Sequence, residues 1–201
     1  LFGLFNNGAY GQPGALEDLP TEALKAQFNT NLFGWHHLIR QVLPAMLAAG
    51  EGRIVQNSSV LGLVAMKYRG AYNASKFALE GYTDTLRLEL EGSGVHISLI
   101  EPGPIDTRFR ANARDAFVRH IDPAQSRHQG AYRQTLTRLE KEGSTSGFTL
   151  PSEACIPPLL HALQSKRPRH RYPVTLPTRL FSILRRLLPS RWLDRILGKS
   201  A

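Results

Sequence analysis

The strongest constraint on how this chain folds lies between residues 53 and 76. It reads Arg-Ile-Val-Gln-Asn-Ser-Ser and then, after a loop, Gly-Ala-Tyr-Asn-Ala-Ser-Lys. Ile54 and Val55 mark a buried strand that ends in polar Asn57, Ser58 and Ser59, and the second segment reads as a helix. Tyr72 and Lys76 are four residues apart, so they share one face of that helix, one turn apart. A phenol ordinarily titrates near ~10, too high for acid-base work at neutral pH, and a fixed cation beside it favours the phenolate. Lys76 is expected to supply that charge.

Strand and helix patterns alternate on both sides of this stretch. Leu4 and Phe5 lead into Asn6-Asn7-Gly8-Ala9-Tyr10-Gly11, a strand followed by a glycine-rich turn. Thr21, after Pro20, is expected to cap a helix with Glu22 in its first turn. That helix should run to about Ala49, with Leu24, Phe28, Leu32, Trp35, Leu38, Ile39, Val42 and Met46 at helical spacing. Pro44 should kink it, and Gly50 and Gly52 should stop it. Val95 to Ile100 reads as another buried strand, followed by Glu101-Pro102-Gly103-Pro104-Ile105-Asp106-Thr107. Residues 108 to 150 are polar and irregular in period. Pro151 to Gln164 reads as a helix capped by Ser152, and Arg171-Tyr172-Pro173-Val174 as an edge strand, where proline is tolerated.

A chain of 201 residues with 42% hydrophobic content suits one domain with a substantial core. Cys155 is the single cysteine, which excludes an internal disulfide and a multi-cysteine zinc site and points to a cytoplasmic setting. His36 and His37 read as helix residues, so no metal site is expected. No apolar run approaches the roughly 20 residues that span a bilayer. Leu1 stands within an apolar run, so the sequence is expected to be a fragment.

The net charge of +9 is concentrated near the end of the chain. Lys166 to Arg171 is basic but has no aromatic platform or DNA-binding motif with it, so no nucleic-acid partner is expected. From residue 177 to 201 the pattern is a basic amphipathic helix pair. Leu180, Ile183, Leu184, Leu187 and Leu188 recur at helical spacing among Arg179, Arg185 and Arg186, and Trp192, Leu193, Ile196 and Leu197 follow Pro189-Ser190. Such a pair can close a pocket, form a dimer contact, or lie on an anionic membrane surface.

Taken together, Asn31, Ser59, Tyr72, Lys76, Pro102-Gly103 and Thr107 resemble the short-chain dehydrogenase/reductase family of nicotinamide-dependent oxidoreductases. Ser59 lies thirteen residues before the Tyr-x-x-x-Lys pattern, at a strand end. Other segments, such as Arg171-Tyr172-Pro173-Val174-Thr175, resemble a bacterial oxidoreductase branch and, more distantly, the hydroxysteroid and retinol dehydrogenases.

The resemblance implies a Rossmann-like, doubly wound parallel sheet of which only the C-terminal part is present, strands four to seven with their helices. It implies Asn31, Ser59, Tyr72 and Lys76 as the catalytic set, with Asn31 working through a local helix distortion. Asn7, Gly8, Tyr72, Lys76, Pro102, Gly103, Ile105 and Thr107 would contact the cofactor, NAD(P)(H), with NADP(H) favoured. Residues 104 to 150 would be a substrate lid, over an apolar aldehyde, ketone or secondary alcohol. A homodimer or homotetramer is implied as well.

Two features depart from the family's pattern. Gly8 and Ala9 stand in swapped order, which would strain Ala9 if it needed a positive φ. The glycine-rich turn that receives a pyrophosphate at the start of a Rossmann fold does not occur in these residues. The readings that rival an enzyme are a non-catalytic nicotinamide-binding sensor and a membrane-surface module centred on the basic tail.

Overall fold

The computed structural model describes residues 1–140 and 147–198 of the chain. In order these form β1 (Gly3–Asn6), α1 (Thr21–Phe28), a π-helical turn (Asn29–Phe33), α2 (Gly34–Ala49), β2 (Gly52–Asn57) and α3 (Gly70–Glu89). Then come β3 (Val95–Glu101), β4 (Ile105–Asp106), α4 (Phe109–His120), α5 (Gln129–Glu140) and β5 (Leu150–Pro151). The chain continues through α6 (Ile156–Gln164), β6 (Arg171–Pro173), α7 (Leu176–Leu187) and α8 (Ser190–Gly198).

β1, β2, β3 and β6 pair in that order, all parallel, with Ile54 opposite both Leu4 and Ile97. Side chains alternate across the sheet. Leu4, Ile54, Val95 and Ile97 therefore face one way, onto Ile39 and Met46 of α2 and Leu86 of α3. Phe5, Val55 and Ile100 face the other way, onto Leu159, Ala162 and Leu163 of α6. Helices on both faces of a parallel sheet define an α/β, Rossmann-like fold. Ile54, Val55 and Ile100 are fully buried, each stabilising by about 1.5–3 kcal/mol. A one-residue slip of β2 would exchange Ile54 and Val55 between two differently packed faces, so its register is set by the fit on both sides.

Two glycines make the turns before β2 and β3 meet. Gly50 ends α2 at φ 67, with its N–H bonded to Leu47 O. Gly94 has φ 78, and a Cβ there would stand 1.9 Å from Gly50 O. Only a residue without a side chain fits that approach.

Several expectations change. Pro20 is the residue that borders α1, its carbonyl accepting from Ala23 N and Leu24 N; Thr21 is already helical and makes no cap bond. The helix expected from residue 21 to about 49 is present with the π turn inside it, and α2 runs on through Pro44 to Ala49. A short 3-10 turn, Ser152–Cys155, precedes α6, and Ser152 makes no side-chain cap. Among the described residues only Tyr68 outside glycine has a positive φ, so Ala9 is unstrained despite the swapped order.

Residues 108–150 are more regular than their pattern suggested. α4 and α5 pack through Phe117, Ile121 and Tyr132 against Ala15, each helix offering a few apolar positions on an otherwise charged surface. Residues 141–146 of the expected lid and 199–201 of the tail lie outside the described residues.

Candidate active site

β1, β2 and β3 run parallel, so Asn6-Asn7, Asn57 to Ser59 and Glu101-Pro102-Gly103 emerge at one edge of the sheet. In open α/β sheets ligands bind outside the carboxyl ends of the strands. The exits are joined by hydrogen bonds. Ser58 N donates to Ile100 O at 2.7 Å and Val60 N to Pro102 O at 2.8 Å. Asn57 Nδ2 donates to Asn7 Oδ1 at 2.6 Å.

Ser59 continues β2 in extended backbone and borders the 3-10 turn Val60–Gly62, its hydroxyl accepting from Leu61 N at 3.2 Å. The turn leads into the loop before α3, whose buried face carries Tyr72, Ser75, Lys76 and Leu79. The Ser59 side chain lies close enough to the Tyr72 hydroxyl to favour its charged form. Lys76, buried to 1% exposure, donates from Nζ to Asn57 O at 2.7 Å. The same nitrogen stands 4.6 Å above the Trp35 ring and 5.7 Å from the Tyr72 ring centre. Ser59, Tyr72 and Lys76 thus meet beside the end of β2.

The electrostatics differ from the sequence expectation. Burial pushes the Tyr72 phenol up to about 12, and the neighbouring Ser59 hydroxyl pulls it part of the way back. Lys76 is itself desolvated. Burial pushes its ammonium down to about 7, opposed by the charge of Glu80 one turn along α3.

Asn31 is fully buried in the π turn. Its Nδ2 donates to Tyr10 O at 3.0 Å and Ser75 Oγ at 3.1 Å, and its Oδ1 accepts from Tyr10 N at 3.3 Å. It therefore ties the glycine-rich turn after β1 to α3, and stands behind the Ser59–Tyr72–Lys76 group instead of touching it through its side chain. The helix distortion expected at this position is present.

The expected cofactor contacts divide into two sets. Asn7 and Gly8 lie exposed at the strand edge, with open space where a Gly8 side chain would be. Pro102 and Gly103 lie at the same edge, joined to the Ser59 turn. Ile105 pairs with Leu150 between β4 and β5, farther along the chain's exit from β3. Thr107 is exposed at the start of α4, where its hydroxyl accepts from Phe109 N at 3.2 Å.

Three contributors escaped the sequence reading. Trp35 holds Gly8 O through Nε1 at 2.9 Å and places its ring under Lys76; its position four residues after Asn31 was the available signal. Phe109 meets the Tyr72 ring edge-on at 5.2 Å. Gly11 makes room for it, since a Cβ there would come within 2.7 Å of Phe109 Cζ. Nothing in the charged run around Phe109 marked it. Finally, Glu80 bonds Ser58 and Arg171, and Arg171 also bonds Glu101 at 2.8 Å. Glu80 follows Lys76 by four residues, so only that part of the network was readable.

A parallel α/β sheet with serine, tyrosine and lysine gathered at its carboxyl edge defines a Rossmann-like oxidoreductase. The chain belongs to the short-chain dehydrogenase/reductase family. Residues 1–117 match the family model described as short chain dehydrogenase. The chain is similar to the uncharacterized oxidoreductase YbbO of Escherichia coli (strain K12), 45% identical over 98% of this chain and 67% of that protein. It is 35% identical to the 3-ketodihydrosphingosine reductase of Bacteroides thetaiotaomicron over 69% of this chain and 51% of that one. A short-chain dehydrogenase/reductase from Burkholderia phymatum, solved in complex with NAD, superposes with a TM-score of 0.75 at 28% identity. That match covers 98% of this chain and 67% of that one.

Proposed function

We propose that this chain carries the catalytic residues of an NAD(P)(H)-dependent oxidoreductase that interconverts an apolar aldehyde or ketone with the corresponding alcohol. The convergence of Ser59, Tyr72 and Lys76 beside the end of β2 carries the reading. Lys76 makes one protein hydrogen bond with an ammonium that has three donors. Asn7 and Gly8 are exposed along the same edge. This donor set fits a ribose and a carboxamide. When bound, the nicotinamide dinucleotide supplies or takes up the hydride.

Tyr72 gives its phenolic proton to the substrate oxygen as that oxygen gains negative charge, and takes the proton back in the oxidative direction. Ser59 donates a hydrogen bond to the same oxygen. Lys76 holds the sugar and, once charged, favours the phenolate. Asn31, through Tyr10 and Ser75, positions the turn after β1 and α3 for a proton relay. Phe109 screens the phenol from water and offers an apolar wall to the substrate. The relative named for 3-ketodihydrosphingosine supports a carbonyl carried on an apolar chain.

The four strands are read as strands four to seven of a doubly wound sheet, with the pyrophosphate grip supplied outside these 201 residues. The relatives' greater length and the lack of a glycine-rich turn between a first strand and helix support this. Exposed Leu38 and Leu47 on α2 and Phe77 and Leu88 on α3 support a homo-oligomer contact over those helices. Residues 104–150 are read as the substrate lid.

The test is Tyr72→Phe in the full-length protein. Turnover should fall about 10²–10⁴-fold, while dinucleotide affinity, followed by NADPH or NADH fluorescence, should hold. Near-normal turnover would sink the reading.

A further inference from the structure

We propose that α7 and α8 form a docking surface for an anionic lipid bilayer. On α7, Leu176, Leu180, Ile183 and Leu187 follow one another at steps of four, three and four residues, which keeps them on a single stripe. All four are exposed, from 50% to 72%. On α8, Trp192 and Ile196 repeat the four-residue step and are exposed by 53% and 41%. The apolar row is therefore largely open to solvent, with Ile183 and Leu187 also standing beside a cleft against Arg171 and Pro173.

The opposite side of α7 is the anchored one. Thr178 is fully buried and bonded to Thr175, and the Arg185 guanidinium lies 5.2 Å over the Phe77 ring of α3. The helix is thus held to the sheet and to α3 while its stripe stays free.

Charge identifies the occupant. Arg179 and Arg186 fall beside the stripe of α7, and Arg195 falls beside Trp192 and Ile196, all exposed. The single acid of these two helices, Asp194, lies on the side of α8 away from its apolar pair. Apolar residues with an interfacial tryptophan, edged by arginines with no acid among them, match the acyl boundary and phosphates of an anionic membrane. No helix among the described residues is long and apolar enough to cross a membrane, so contact would be with the surface. α7 also touches the 3-10 turn that follows Ser59. The membrane face consequently lies next to the candidate active site, but the lipid contact does not depend on the enzymatic reading.

The experiment is co-sedimentation of the full-length protein with phosphatidylcholine vesicles, with and without phosphatidylglycerol, at low and high salt. Binding is expected only to the phosphatidylglycerol vesicles and should weaken with salt. Leu180→Glu with Ile183→Glu should reduce it by about tenfold or more, and Arg179→Glu with Arg186→Glu likewise. Circular dichroism and turnover of a soluble aldehyde should stay at wild-type values in both variants. Failure to bind phosphatidylglycerol vesicles, or binding that survives both pairs of changes, would overturn the proposal. It would also fail if the leucine and isoleucine changes only lowered the assembly mass, since a second copy of the chain would then be the occupant.

Discussion

Gly103 has no room for a methyl group. A Cβ there would stand 2.1 Å from Thr175 Oγ1 and 2.9 Å from Thr178 Oγ1. Both threonines are fully buried, and Thr175 caps α7 by accepting from Thr178 N. Gly103→Ala should therefore displace the cap. We expect a loss of about 2 kcal/mol, from overpacking at about 1–3 and a weakened cap at about 1, measured by urea unfolding. An unchanged midpoint would show slack in the turn that the geometry denies. In the sequence Gly103 belongs to a Pro-Gly-Pro turn, and nothing there announces its threonine neighbours. Tyr72 and Lys76 were legible because one helical turn joins them. The burial that moves both their pKa values was not, because it comes from Trp35, Phe109 and the sheet.

One side chain links α3 to both β3 and β6 by charge. Arg171 bonds Glu80 and Glu101 through Nη1 and Asp84 at 2.6 Å through Nη2. Glu80 and Asp84 lie four residues apart on α3, and Glu80 and Glu101 are 6% and 1% exposed. Removing the guanidinium would leave two buried carboxyls side by side without a cation. Arg171→Met should cost about 3–5 kcal/mol, and adding Glu80→Gln and Glu101→Gln should return most of it. Urea unfolding of the single and triple variants measures both. A loss under about 1 kcal/mol in the single variant would mean that the cluster is not a fastening. As elements, β2, α3, β3 and β6 could be read from apolar runs and helical spacing. Arg171 could not be singled out, since it ends a basic run that reads as a solvated loop. α4 and α5 were missed because their stability comes from a few contacts such as the Phe117–Tyr132 ring pair at 5.2 Å, too sparse to set a period.

Two buried groups with opposite signs should give the whole protein a stability minimum near neutral pH. Glu101 is pushed up to about 7, chiefly by burial and then by the charge of Glu80, against the pull of Arg171. Between its ordinary value of 4.5 and 7, the unfolded chain gives up a proton that the folded protein keeps. Stability from this group therefore falls as pH rises through that window. Glu80, also raised by burial, adds to the fall, while His96, pushed down by burial and by Arg53, offsets part of it. Lys76 acts on the other side. Its value drops from 10.5 to about 7, so above pH 7 the folded protein sheds a proton that the unfolded chain retains, and stability rises with pH. Tyr72, raised from 10.0 to about 12, takes stability away as pH rises between those two values. Urea unfolding across this pH span should show the dip. Glu101→Gln should flatten its acid side, and Lys76→Met its alkaline side. If Lys76→Met left the alkaline rise intact, the ammonium would not be desolvated in the folded protein, and the cation would be free to act on Tyr72 as the sequence first suggested.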